Sequence, residues 1–253
     1  MARHSPMDQV SATAASGLRA RMEVLDMLSN NLANAATSGY KLDREFYTLF
    51  SAEDDDSIEG AGSTKLPQIQ KQWTDFTQGT LQPTGSPLDL ALSGKGFFTA
   101  TGPSGVLYTR NGAFQVSKTG ILTSCDGYPV TTTTGGTIQT DSQSPINVSP
   151  DGTVQQDGMP LGQLAIMDFA DPAALQKMGS NYYTNSNATV KPLTADSTTV
   201  VQGKIEASNV VAAESAVRLV GVMRQFEMLQ KAISVTTDMD KKALDEVARV
   251  GSS

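Results

Sequence analysis

The sequence is nearly without histidine and cysteine. His4 and Cys125 are the only residues of their types among 253. A single cysteine excludes an intramolecular disulfide and leaves a cysteine-based metal site short of ligands. The single histidine sits in a polar N-terminal segment, which argues strongly against a histidine-dependent catalytic triad or a multi-histidine metal site. We therefore expect no catalytic residues, no metal and no cofactor, and a protein that is not an enzyme.

Aromatic residues, long apolar runs and an excess of positive charge are also missing. Phe, Tyr and Trp together make up 6% of the chain. No run approaches the roughly 18 apolar residues that a membrane-spanning helix needs. The formal net charge is −7, which argues against nucleic acid and anionic lipid as main partners. The N-terminal residues contain no continuous apolar segment, so we expect no cleaved secretory signal.

Two segments near the chain ends carry the heptad spacing of helices that pack along a partner. We predict one helix over residues 7–36 and a second after Gly203, capped by Ser208 or Asn209. We expect the helices to pair as a coiled coil that leaves Val24, Leu28 and Met223 uncovered until other subunits pack on them. The predicted subunit-interface residues are Leu18, Met22, Leu25, Leu28, Leu32, Leu219, Val222, Phe226, Leu229 and Ile233.

The middle of the chain is patterned for β structure. From Gln68 to about Lys204 apolar residues alternate with polar ones, and turn dipeptides such as Asn111-Gly112 separate the runs. We expect residues 171–177 to hold one helical turn and residues 184–199 to be a loop. The predicted fold class is α+β, with long terminal helices and a central antiparallel β domain. The predicted domains are residues 1–40 and 204–253 (inner helices), 41–84 (linking extended segment) and 85–203 (central β domain).

An acidic segment interrupts the linking region. Asp54, Asp55 and Asp56 are followed by a Gly/Ser-rich stretch, which is typical of a surface loop. The spacing lacks the alternation of a calcium-binding loop. We expect this loop to face outward or to meet a basic surface on a neighbouring protein.

Two short motifs have catalytic counterparts that the sequence does not support. Ser38-Gly-Tyr-Lys41 fits the S-x-x-K pattern of penicillin-recognising serine enzymes, but the accompanying K-T-G comes second where those enzymes place it third. Ser93-Gly-Lys-Gly96 lacks the earlier glycine and the Ser or Thr of a phosphate-binding loop. A glycine-permitted bend before Phe97 and Phe98 is the interpretation we favour for the second motif.

Several blocks, collinear along nearly the whole chain, resemble the axial proteins of the bacterial flagellar rod and hook. The run of residues 28–41 is similar to the N-terminal signature of that family, residues 89–98 and 108–130 to its following blocks, and residues 202–210 to the start of its C-terminal helix. The residues that carry the resemblance are Asn30, Asn31, Leu32, Ala33, Asn34, Gly39, Tyr40, Lys41, Gly94, Gly96, Phe97, Phe98, Ser208, Asn209 and Val210.

The short middle domain resembles rod proteins more than hook proteins. Residues 224–230 favour the proximal-rod type, and residues 234–239 keep the distal-rod type as a close alternative. The resemblance implies a subunit whose helices stack into a periplasmic tube that transmits torque from motor to hook. It also implies copies of this chain, other rod proteins, surrounding ring proteins and the flagellar type III export apparatus as partners. A soluble β-domain binding module with helical oligomerisation arms is the alternative function.

Overall fold

The chain divides into two compact units. The computed structural model describes residues 6–51, 65–141, 144–187, 189–195 and 197–250. The helical unit comprises Met1–Ala33, Asp43–Trp73 and Val211–Ser253, and the β unit comprises Asn34–Leu42 and Thr74–Val210. The predicted α+β class, with two helices and a central antiparallel β domain, is confirmed. The acidic residues Asp54–Asp56 lie outside the described residues.

Two helices and one strand pair build the helical unit. Helix α1 spans Pro6–Ala33 and α2 spans Ala212–Val250, while β1 (Asp43–Ser51) and β2 (Lys65–Thr74) form a two-stranded sheet. Helix α1 ends three residues before the predicted limit. Asn34 follows the helix end in a turn. Its backbone carbonyl accepts a hydrogen bond from the Thr37 amide, and its side-chain Oδ1 accepts one from the Thr37 hydroxyl. The 39 residues of α2 make a rod about 58 Å long at 1.5 Å per residue.

Short antiparallel strands build the β unit. The strands are β3 (Leu81–Pro83), β4 (Leu90–Ser93), β5 (Phe97–Gly102), β6 (Gly105–Thr109), β7 (Phe114–Val116), β8 (Leu122–Ser124), β9 (Ile146–Val148), β10 (Thr153–Gln156), β11 (Met159–Gln163), β12 (Ile166–Asp168), β13 (Leu175–Gly179), β14 (Tyr182–Asn185), β15 (Leu193–Thr194), β16 (Thr199–Gln202) and β17 (Lys204–Glu206). The largest sheet has six strands in the order β13-β14-β6-β5-β12-β15. The smaller sheets are β11-β10-β9, β16-β4, β17-β3 and β7-β8.

Strand β5 separates two apolar cores. Successive side chains of a strand point to opposite faces, so Phe97 and Phe98 enter different clusters. Phe98 joins Phe114 at a ring separation of 5.0 Å in an aliphatic core that also holds Leu92. Phe97 joins Tyr183 in an aromatic core. Gly94 and Gly96 precede this strand with φ of 121° and 107°, which confirms the predicted glycine-permitted bend.

Residues 171–177 contain the predicted single helical turn, a three-residue 3-10 turn at Pro172–Ala174 that ends before β13 begins. The structure corrects two other local predictions. The predicted loop 184–199 contains β15 and the start of β16, because Val200 is buried and pairs with Leu92 of β4. Asn111-Gly112 joins two different sheets and closes no hairpin. A Cβ on Gly112 would stand 1.6 Å from the Leu90 carbonyl oxygen, so the close approach requires glycine.

No helix in the described part of the chain combines the length and apolarity needed to cross a membrane.

Candidate functional site: the junction and the helix faces

Three charged side chains meet in the interior of the β unit. The Lys41 ammonium donates to Glu206 Oε1 at 2.5 Å, and Arg110 Nη1 donates to Glu206 Oε2 at 3.1 Å. The side chains of Lys41 and Glu206 are fully buried, and that of Arg110 is 4% exposed. We call these three residues the junction cluster. Buried charges persist only when paired and hydrogen-bonded, so this cluster fixes the segments that carry it.

Backbone groups supply further hydrogen bonds to the junction cluster, while Arg110 Nε is buried without a partner among the described residues. The Gly79 amide donates to Glu206 Oε1 at 2.8 Å, and Lys41 also donates to the Thr77 carbonyl at 2.6 Å. Arg110 Nη2 donates to the Gly94 carbonyl at 2.8 Å. Burial lowers the pKa of the Lys41 ammonium, and the attraction of Glu206 opposes that shift. The arrangement holds two cations on one carboxylate, so its chemistry is structural.

Gly39 brings the N-terminal motif into this interior. Its φ of +70° confirms the predicted left-handed conformation after the helix end. Its amide donates to the Glu206 carbonyl at 2.8 Å. A Cβ at Gly39 would lie 2.4 Å from the Asn111 amide nitrogen. Tyr40 is buried, and the Lys177 ammonium lies 4.4 Å from its ring centre.

Asn209 connects segments where the sequence predicted a helix cap. Its Oδ1 accepts from the Leu42 amide, and its Nδ2 donates to the Asp75 carbonyl, both at 2.8 Å. Helix α2 begins at Ala212, so the prediction that Ser208 or Asn209 caps it is wrong. The Ser208 hydroxyl instead accepts from the Val210 amide, and Val210 is buried. The amide side chain of Asn209 offers a donor and an acceptor at once, which suits it to this bridging position.

Asn31 performs the same task within the helical unit. Its Nδ2 donates to the Asp43 carbonyl at 2.8 Å, and its Oδ1 accepts from the Asp43 amide at 3.0 Å. This two-way bond ties the end of α1 to the start of β1. The neighbouring motif residues lie differently: Asn30 and Ala33 are exposed, while Leu32 and Asn34 are half-buried.

The predicted apolar stripes lie mainly where α1 packs against α2 of the same chain. Leu28 and Val222 are buried in one cluster with Val24 and Met27, and Leu25 and Leu219 pack against it. Leu18, Leu32, Phe226, Leu229 and Ile233 are half-buried. The expectation that Val24 and Leu28 stay uncovered is wrong, because α2 covers them.

Two predicted positions remain open on the helix pair. Met22 is 54% exposed, since it lies about 160° around α1 from the buried Val24. Met223 is 47% exposed, in line with the expectation that it stays uncovered. The role of the predicted positions in contacts between subunits stays a prediction.

Helix α2 carries a second apolar stripe, which the sequence analysis did not predict. Val217, Met228 and Val235 lie within about 20° of one another around the helix, and Met239 lies close to them. All four are exposed, Val217 by 75% and Met228 by 64%. We call these four residues the outer α2 stripe. Steps of 11 and 7 residues, from 217 to 228 to 235, return to the same face of a helix and could have indicated this stripe. Charged residues such as Arg224 interrupt the pattern.

Known protein families match this chain in the same regions that carry the sequence resemblance. Residues 12–41 match the family described as flagella basal body rod protein, residues 91–156 the flagellar hook protein FlgE/F/G D1 domain, and residues 201–246 the flagellar basal body rod FlgEFG protein C-terminal family. These matches place the chain in the class of flagellar rod and hook axial proteins.

Relatives along nearly the full length define the family further. The FlgF rod protein of Caulobacter vibrioides is 31% identical over 227 residues, covering 89% of this chain and 92% of that protein. The FlgG rod proteins of Agrobacterium fabrum and Bacillus subtilis are 33% and 32% identical, covering 90% and 88% of this chain and 95% and 93% of theirs. The chain belongs to the flagellar basal-body rod proteins, and its role is structural. The recognition of that family from the sequence motifs is confirmed.

Proposed function

We propose that the chain polymerises with copies of itself and with other rod proteins into the axial tube that transmits torque from motor to hook. The observation that carries this proposal is the outer α2 stripe. Helix α2 is about 58 Å long and presents apolar residues on two sides, one covered by α1 and one open. A row of exposed apolar side chains along one helix face is typical of an assembly surface.

The paired terminal helices form the inner layer of that tube as a coiled coil, and the β unit forms the outer layer. In this proposal residues 1–40 and 204–253 form the inner helices, residues 41–84 link them to the β domain, and residues 85–203 form that outer domain. The spacing of Leu219, Val222, Phe226, Leu229 and Ile233, all buried or half-buried, supports the coiled-coil part. The junction cluster and Asn209 fix the β-unit segments that continue into the two helices.

We assign the chain to the FlgF type on the run of residues 224–230, with the FlgG type as the close alternative. Rod location implies export through the flagellar type III apparatus without a cleaved signal, and residence in the periplasmic rod. Ring proteins that surround the rod are proposed neighbours of the acidic segment Asp54–Asp56.

Localisation of the full chain tests this function. An epitope-tagged chain is expressed in cells from which its own gene is deleted, and basal bodies are purified. We expect the tag in the rod fraction and restored swimming. Val235→Asp places a charge on the outer α2 stripe, where desolvation is unfavourable, and should remove the tag from the rod. Gln225→Asp, at an exposed polar position of the same helix, is the control. A tagged chain that restores swimming from outside the basal body would contradict the proposal.

A further inference from the structure

Two unpaired charges of opposite sign lie on the outer sides of the helix pair. Asp26 is exposed on α1 and Arg224 is exposed on α2. Neither has an ion-pair or hydrogen-bond partner among the residues that the structure describes. Their exposed charges contrast with Arg218, which pairs with Glu45, and with Arg19, which lies 3.5 Å from Glu23.

Each of these charges has an exposed methionine four residues away. Met22 precedes Asp26 by four positions, and Met228 follows Arg224 by four. Residues four apart are neighbours on one helix face. The order is reversed between the two helices, so antiparallel packing would set methionine against methionine and acid against base. Parallel packing would set each methionine against a charge.

We propose that a second copy of this chain docks the α1 face of Met22 and Asp26 on the α2 face of Arg224 and Met228, antiparallel, with Asp26 paired to Arg224. This inference rests on the proposed polymerisation and names the residues of its lateral contact. The occupant is a second copy because the same chain carries both complementary faces. The faces differ, so the contact is heterologous and leaves one free face of each kind after every addition.

The register of the contact predicts an axial step. Within one chain α1 and α2 pack antiparallel, and Gly17 lies against Leu229. Pairing Asp26 with Arg224 displaces the second copy by four residues from that register, or about 6 Å along the helix axis. Copies that repeat this displacement follow a helical path and do not close into a flat ring, as a tube of subunits requires.

Charge reversal tests the contact in the full chain. Asp26→Arg and Arg224→Asp should each lower incorporation into purified basal bodies about tenfold, because each places like charges together. The double variant pairs the charges again and should return incorporation to near the wild-type level. Lys241→Asp makes the same charge change about 100° around the helix from Arg224 and should incorporate normally. Equal incorporation of all variants, or a double variant as poor as the singles, would overturn the contact.

Cross-linking identifies the occupant. In a Cys125→Ser background, cells produce one copy with Met22→Cys and one with Met228→Cys, and rods are treated with a short bismaleimide. The expected product is a dimer joining the two variants. A cross-link to a different rod protein alone, or no cross-link in rods that contain both variants, would overturn docking between copies and leave the proposed function intact. Absence of the wild-type chain from basal bodies would overturn both.

Discussion

The helical unit and the β unit bury their side chains to very different degrees. In the β unit two clusters enclose residues such as Leu92, Val130 and Tyr183 completely. Among the described side chains of the helical unit one small cluster is buried, and Val222 is the one buried apolar residue that α2 contributes. Helices draw most of their stability from tertiary packing. This difference in burial predicts that the β unit folds on its own contacts and that the helical unit gains much of its stability from assembly.

The largest effect is expected in the aromatic core. Phe97 is 2% exposed and stands 5.3 Å from Phe76 and 6.1 Å from Phe169 between ring centres. Phe97→Ala should lower the free energy of unfolding of the β unit by about 4 kcal/mol, because it leaves a cavity. Denaturant unfolding measures this. Val106→Ala, at a half-exposed position, is the control and should cost about 0.5 kcal/mol or less. Equal costs would mean that the core is misplaced.

The junction cluster comes next in the ranking. Lys41→Met removes one cation from a buried carboxylate and should cost about 3 kcal/mol. Glu206→Met alone leaves two buried cations, Lys41 and Arg110, without their carboxylate. Adding Lys41→Met removes one of these two cations, so the double variant should lose less than the two single variants together. A double-variant cycle in urea measures the coupling. Additive losses would show that Lys41 and Glu206 act independently.

A substitution between the two helices should change the thermal stability of the β unit less than the two preceding changes do. Leu229→Asp places a charge against Gly17 of α1, whose position would bring a Cβ within 4.0 Å of the leucine. It should abolish incorporation into rods while thermal unfolding of the β unit stays within about 2 °C of wild type. Gln225→Asp serves as the control. Normal swimming of Leu229→Asp cells would mean that this helix contact is not needed for assembly.

The smallest expected effect is on the pH dependence of Tm. Burial raises the pKa of the Tyr182 hydroxyl above its usual 10.0, and Asp126 adds to the rise. The folded chain therefore keeps this proton above pH 10 where the unfolded chain releases it. Stability present below pH 10 is lost as the pH rises further. Tm should fall less steeply above pH 10 in Tyr182→Phe than in wild type. Parallel Tm curves would rule out a contribution from this hydroxyl.

The sequence predicted features that depend on local pattern. Heptad spacing placed Leu25 and Leu219 in a helix pair, and the glycine at position 39 predicted a left-handed turn, because both signals lie within a few neighbouring residues. The junction cluster could not be predicted in this way. Lys41, Arg110 and Glu206 are brought together only by the tertiary packing of segments that are distant in the sequence. Asn209 was misread as a cap because its partners, Leu42 and Asp75, are equally distant.

Amide hydrogen exchange on the isolated full-length monomer tests the division between the two units most directly. We predict fast exchange along α1 and α2 and slow exchange in β4, β5 and β6, whose side chains form the two cores. Exchange reports the free energy of local opening segment by segment, so the two units are compared within one molecule. Protection of α1 and α2 equal to that of β5 in a proven monomer would contradict the account.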